Sequence, residues 1–199
     1  MSNTYTIRCR CGQLRGRLKA TRPSNRCVCY CTDCQAFARH LRAAGVLDGS
    51  GGSAIVQVPA SNLEFTAGAE NLACLRLTDQ GMLRWYSACC QTPIGNTPAD
   101  RRMAFVGLIL TDLNGDPQTL DACFGPVTMR VCVNSATTVD KPAASGLLSG
   151  VGKVLAIIIR GRISGAYRRS PFFRPESGAP IAKPTVLSAT EIAAAKRAA

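Results

Sequence analysis

Histidine, aromatic residues and acidic residues are all scarce in this sequence. His40 is the single histidine among 199 residues. A lone histidine in a helical stretch is more commonly a surface residue than a metal ligand. Aromatic residues make up only 6% of the chain, and they do not interleave with the basic residues. That argues against a stacking platform for single-stranded nucleic acid. The 12 Asp and Glu are outnumbered by 24 Lys and Arg, for a formal net charge of +12. Such a balance suits nucleic acid, anionic lipid or an acidic small molecule, and it equally describes an arginine-rich solvated surface. No apolar stretch follows Met1, so no secretory leader is expected and a reducing cytoplasm is. The glycine-rich run Asp48-Gly49-Ser50-Gly51-Gly52-Ser53 is not followed by Gly-Lys-Ser/Thr, which removes a phosphate-cradle reading and leaves a flexible loop. The apolar run at 147–160 is too short, and too interrupted by Lys153 and Arg160, to span a bilayer.

Cysteine, by contrast, is abundant. Four of the eleven fall within Cys27-Val28-Cys29-Tyr30-Cys31-Thr32-Asp33-Cys34. Thiolates are ligands that zinc prefers, and short spacings let one turn of backbone present several sulfurs to one ion. Neighbours this close cannot bridge one another without strain, and in a reducing cytosol clustered thiols bind metal or do chemistry. In an extended chain Cys27, Cys29 and Cys31 share a face, and Cys34 returns over a turn made by Thr32-Asp33. A second group, Cys9-Arg10-Cys11-Gly12, reads as a metal knuckle in which glycine makes the turn. It feeds a strand where Leu14, Gly16, Leu18 and Ala20 alternate with polar residues. Cys74, Cys123 and Cys132 lie in apolar strands and are expected to pack in the core.

The length suits one domain with an appendage. Short strands are expected at 54–58, 63–65, 72–77 and 83–88, with more continuous apolar strands at 103–110 and 127–133. Gln35 to Leu47 reads as a short helix. This spacing of elements describes a mainly β, sandwich-like fold over residues 5–135. Beyond it, 141–146 reads as a linker. Leu147, Val151, Val154, Leu155 and Ile158 then recur at helical spacing, so an amphipathic helix is expected over 147–160, weakened by Gly150 and Gly152. Such a helix could lie on a membrane surface; packing on the domain or on a partner subunit is the preferred reading. Ser188 and Glu191 match a capping box for a last helix at 189–199. Residues 150–199 carry nine Lys/Arg against two Glu, so 136–199 is expected to form a basic helical extension.

Three segments in chain order carry a resemblance. They are Cys9-Arg10-Cys11-Gly12, Cys29-Tyr30-Cys31-Thr32-Asp33-Cys34, and Tyr86-Ser87-Ala88-Cys89-Cys90-Gln91-Thr92-Pro93-Ile94. Over roughly residues 5–110 the chain resembles the glutathione-dependent formaldehyde-activating enzyme (GFA) family, which shares its domain with centromere protein V. That family's pattern is C-x-C-G, C-H-C-x-x-C and F-C-x-x-C-G-x-P. The resemblance implies a zinc-bearing β fold with two metal sites. Cys29, Cys31 and Cys34 match a site with an open fourth position for the thiol of glutathione. Cys9, Cys11 and Cys90 match a structural site, and Cys89 is the candidate for its fourth ligand. The implied activity is that of a carbon–sulfur lyase acting on a thiol–aldehyde adduct such as S-hydroxymethylglutathione. The chain departs from the pattern at Tyr30, Ser87 and Gln91, which stand where the family has histidine, cysteine and glycine. Adjacent Cys89 and Cys90 are expected to point apart.

Cys27 leaves two alternatives open. If it joins Cys29, Cys31 and Cys34, the ion is closed and structural; if not, a position stays free for a ligand. Arg26 or Arg39 could meet an anionic substrate. The competing functional reading is a non-catalytic zinc module whose basic tail binds a macromolecular partner.

Overall fold

A computed structural model describes residues 4–110 and 117–197. Alternation of buried and exposed residues builds a small antiparallel sheet from β1 (Thr4–Arg8), β2 (Arg15–Lys19) and β5 (Leu63–Ala67), in the order β1-β2-β5. Tyr5, Ile7 and Leu18 point inward from it. A larger sheet contains β3 (Asn25–Cys29), β4 (Ser53–Pro59), β6 (Leu72–Arg76), β7 (Leu83–Ser87), β8 (Thr92–Thr97), β9 (Phe105–Leu108), β10 (Met129–Val131) and β11 (Thr185–Val186). Its order is β10-β3-β4-β9-β8-β7-β6-β11. The edge strands β10 and β11 pair parallel with their neighbours, and the strands between them pair antiparallel.

The period-two alternation of the central strands assigns residues to two layers. Val56, Val58, Leu83, Trp85, Ile94, Val106 and Leu108 face the small sheet and form the main core with Tyr5, Ile7 and Leu18. The other face is covered by α1 (Thr32–His40) and α4 (Ala189–Lys196), whose Ala36, Phe37 and Ala195 pack with Ile55, Leu75 and Leu77. The mainly β expectation therefore holds, with two sheets and helices on the outer face of the larger one.

The segment expected as an extension, 136–199, is woven into this body. β11 closes the large sheet, and Phe172 is fully buried with its ring 5.0 Å from that of Trp85. Trp85 itself donates from Nε1 to Thr97 Oγ1 at 2.9 Å. The amphipathic helix runs longer than the expected 147–160, as α3 (Leu147–Ile163), and buries Gly150, Ile157, Ile158 and Gly161. Gly150 is a condition of that docking: a Cβ there would meet Met129 Sδ at 2.2 Å. The last helix begins with the expected capping box between Ser188 and Glu191; residues 198–199 of the expected range lie outside the described residues.

Several boundaries differ from the sequence reading. The helix expected at 35–47 starts earlier and stops at His40, with a separate 3-10 turn at Ala44–Val46. The 127–133 strand is limited to Met129–Val131, because Cys132 adopts a left-handed backbone (φ 57°). Cys132 is consequently exposed, and Cys123 sits half-buried on α2 (Pro117–Phe124); of the three cysteines assigned to apolar strands, only Cys74 is a buried strand residue. The 48–53 loop is tied down by the Asp48 carboxylate, which accepts from the Ser50 and Gly52 amides at 2.8 Å each and from Tyr30 Oη at 3.2 Å. Among the described residues no helix is long and apolar enough to cross a membrane.

Candidate metal centres

The first centre is built at the end of β3. Strand alternation turns Cys27 and Cys29 toward the helical layer, and the chain then enters α1 with Cys31 as its N-cap. The Cys31 sulfur accepts from the Cys34 amide at 3.3 Å, as a serine or aspartate cap oxygen would. One turn of helix therefore carries Cys34 back over Cys31. The sulfurs of Cys29, Cys31 and Cys34 lie within 4.8 Å of one another and could hold a metal ion. Cys27 is not in that group. It lies two strand residues before Cys29, a rise of about 6.6 Å along an extended chain, with no turn to bring it back.

Gln35 locks this corner. Its amide nitrogen donates to the carbonyls of Tyr30 and Ser135, both at 2.8 Å, and its oxygen accepts from Arg39 at 3.0 Å. Gln35→Leu would strand two carbonyls in a buried setting, a loss of about 2 kcal/mol. For a chain of this size, that is expected to lower the thermal midpoint by about 6 °C, which calorimetry can read.

The three sulfurs open on a cavity of about 270 Å³. Its lining follows from strand parity: Cys27 and Cys29 from β3, Ile55 and Gln57 from β4, Arg84 from β7, Asn96 from β8, and Phe105 and Gly107 from β9. Met82, Met129 and Val131 add apolar wall, and Asp33, its carboxylate 3.7 Å from Arg84, also lines the cavity beside Cys31 and Cys34. Arg84 was not legible as a site residue. It is buried, sits 3.9 Å from Cys34 Sγ, donates to Asn96 Oδ1 at 3.2 Å and lies 5.6 Å from the centre of the Phe37 ring. The two arginines picked from the sequence line no part of this cavity. Arg26 pairs with Asp121 and donates to the Gly125 carbonyl, while Arg39 is held by Gln35.

The electrostatics favour negative charge on this cluster. The Cys31 thiol is pulled down to about 2 by hydrogen bonds from Cys29 and Cys34, and also by the Cys34 amide and the Arg84 cation. Cys29 is pushed up, chiefly by those same hydrogen bonds to Cys31 and Cys34. Cys27 is pushed up to about 12, first by burial and then by the nearby Cys34 and Cys31. It forms a protonated wall beside a shared thiolate.

Tyr30, where the family pattern has histidine, points the other way. It packs with Val28 and Ala136, and its hydroxyl reaches Asp48. In Cys29-Tyr30-Cys31 the middle side chain faces away from the sulfurs, so this departure leaves the thiol geometry intact.

The second centre joins the two sheets. Cys9, Cys11, Cys89 and Cys90 place their sulfurs within 4.8 Å of one another and could hold a second ion. Cys9–Cys11 is 3.5 Å, Cys9–Cys89 3.8 Å, Cys11–Cys89 3.3 Å and Cys89–Cys90 3.9 Å. Tetrahedral coordination at about 2.3 Å per thiolate implies sulfur separations of about 3.8 Å, so these spacings suit a metal. Each half ends in a left-handed residue, Gly12 (φ 75°) and Gln91 (φ 56°). The expectation that Cys89 and Cys90 point apart fails for this reason. They occupy a turn between β7 and β8, where adjacent side chains need not diverge as they do in a strand. Gln91 holds this left-handed backbone although it is not a glycine.

Ser87, standing at the family's cysteine position, is fully buried and accepts from the Thr92 amide at 3.1 Å. Burial acts to raise the Cys90 thiol, but the hydroxyls of Ser87 (3.3 Å) and Thr92 (3.0 Å) outweigh it and hold it down at about 6. Arg10 staples the two halves: its amide donates to Thr92 Oγ1 at 3.1 Å and its guanidinium to the Cys90 carbonyl at 2.7 Å. His40, in the last turn of α1, belongs to neither centre.

Among curated proteins none matches the chain. A crystal structure of a Rhodobacter sphaeroides protein matches with 21% identity over 62% of this chain and 97% of that one, at a TM-score of 0.39. The sequence profile of a family of unknown function, DUF6151, matches residues 1–184, and the chain belongs to that family.

Proposed function

We propose that the chain is a GFA-like zinc protein with one structural ion at Cys9, Cys11, Cys89 and Cys90. A second ion is held by Cys29, Cys31 and Cys34, with its fourth position facing the cavity. On this reading it is a carbon–sulfur lyase acting on a thiol–aldehyde adduct, with S-hydroxymethylglutathione as the type of substrate. The observation that carries the proposal is the placement of three mutually close thiols, with Cys27 outside the group, at the mouth of an apolar cavity. Three protein ligands and a free corner are what a catalytic zinc requires. When bound, zinc supplies Lewis acidity that keeps an incoming thiol deprotonated at neutral pH.

The chain's own residues do the rest. The N-terminus of α1 and the buried Arg84 both favour anionic charge at the sulfurs. The apolar walls of Ile55, Met82, Phe105 and Met129 lower the local polarity and strengthen those interactions. Gly107 leaves the floor open between Gln57 and Asn96, its strand neighbours.

Cobalt-substituted protein tests this directly. Adding glutathione should change the visible spectrum as a further sulfur joins the open ion; an unchanged spectrum rejects the open site. Arg84→Met should retain the metal but weaken thiol binding about 10-fold, the size of one lost charge-assisted contact. Equal thiol affinity in that variant would remove Arg84 from the account.

A further inference from the structure

α3 turns a large apolar stripe away from the protein. Leu148, Val151, Leu155, Ile159 and Ile163 recur at spacings of three and four residues and are 90%, 47%, 51%, 55% and 84% exposed. The opposite face, with Gly150, Ile157 and Gly161, is the one docked on the sheet. Among the described residues the stripe therefore stays largely uncovered, and at 1.5 Å per residue it runs for about 22 Å. Contiguous apolar surface of this kind marks an interaction site.

Charge decides what covers it. Between residues 141 and 175 the chain has seven Lys and Arg and no Asp or Glu. Five of those cations, Lys153, Arg160, Arg162, Arg168 and Arg169, lie on α3 or in the 3-10 turn (Ala166–Arg169) that follows it. Among the described residues none of the five pairs with a carboxylate. Lys153 reaches a threonine hydroxyl and Arg162 the Arg102 carbonyl, with the Asp100 carboxylate, itself paired to Arg102, acting on Arg162 from a distance. A second copy of the chain would bring the same cations to the same helix, on a body whose net charge is +12. A bilayer with anionic headgroups supplies both halves of the complement: acyl chain for the stripe and negative charge for its flank.

We infer that α3 is an interfacial helix that seats the protein on anionic membrane surfaces, its stripe inserted below the headgroups and its arginines among them. The inference is independent of the metal chemistry, because the stripe and the cavity are built from different residues.

Co-sedimentation of the full metal-loaded chain with vesicles tests it. Vesicles in which about a third of the lipid is phosphatidylglycerol should bind at least about 10-fold more tightly than pure phosphatidylcholine vesicles, and added salt should reduce the difference. The double variant Leu155→Glu, Ile159→Glu should lose at least about 10-fold of that binding. Both positions are exposed, so its melting temperature and metal content should match the parent. Equal binding to both vesicle types overturns the inference. So does binding that survives the double substitution, or a solution dimer that the substitution dissociates while vesicles go unbound.

Discussion

Cys31→Ser is expected to leave the purified chain with one metal equivalent in place of two. Serine is a poor zinc ligand, and a two-thiol remnant should hold the ion at least about 100-fold more weakly. The substitution is informative because Cys31 has a second task. Its sulfur caps α1 by accepting from the Cys34 amide, and serine is among the best N-caps. The helix, the Gln35 lock and the cavity wall should therefore persist while the ion is lost. Metal analysis should read the loss, and the melting temperature should fall less than for a ligand of the second centre. Two equivalents retained in the variant would mean that Cys27 or another group completes the site.

The second large effect belongs to the knuckle. Cys9 follows the first strand of the small sheet, and Cys89 and Cys90 lie in the turn between two strands of the large one. An ion there would tie the sheets together over the main core. In small zinc domains about 10–16 kcal/mol of binding energy is folding energy; even a third of that, about 4 kcal/mol, would lower the midpoint here by about 12 °C. Cys9→Ser is expected to show that drop. A strong chelator should bring the parent protein down to a similar temperature. A parent midpoint unmoved by chelation would leave the cluster as a set of free thiols packed beneath Arg10.

The sequence reading reached the thiols because ligand spacing is local. Cys29, Cys31 and Cys34 are fixed by one strand end and one helix start, and both are visible in five or six residues. The convergence of Cys89 on Cys90 was not visible, since it depends on the left-handed backbone at Gln91, a non-glycine residue for which no propensity signals a turn of that hand. Arg84 was hidden for another reason. Alternation in β7 separates Arg84 from Trp85, but it does not say which face carries the cysteines; that is set by the pairing of six strands. Long-range pairing also explains the misplaced appendage. The parallel docking of Thr185–Val186 on Leu75–Arg76 joins segments more than a hundred residues apart, and composition alone marked that tail as separate. The amphipathic character of α3 is legible in the sequence, but the periodic set read there shares only Val151 and Leu155 with the exposed stripe and includes the buried Ile158. Which face would dock depended on Gly150, whose missing side chain first reads as a helix weakener, and on Gly161, beyond the expected end of the helix.

The decisive measurement is the sulfur count around the metal, by X-ray absorption at the zinc edge on the protein as purified. The account expects a mean of about 3.5 sulfurs per zinc, one ion with four thiolates and one with three plus a lighter atom, rising toward four when glutathione is added. Four sulfurs per zinc before any thiol is supplied would mean that the corner beside Cys27 is already filled, and would contradict it.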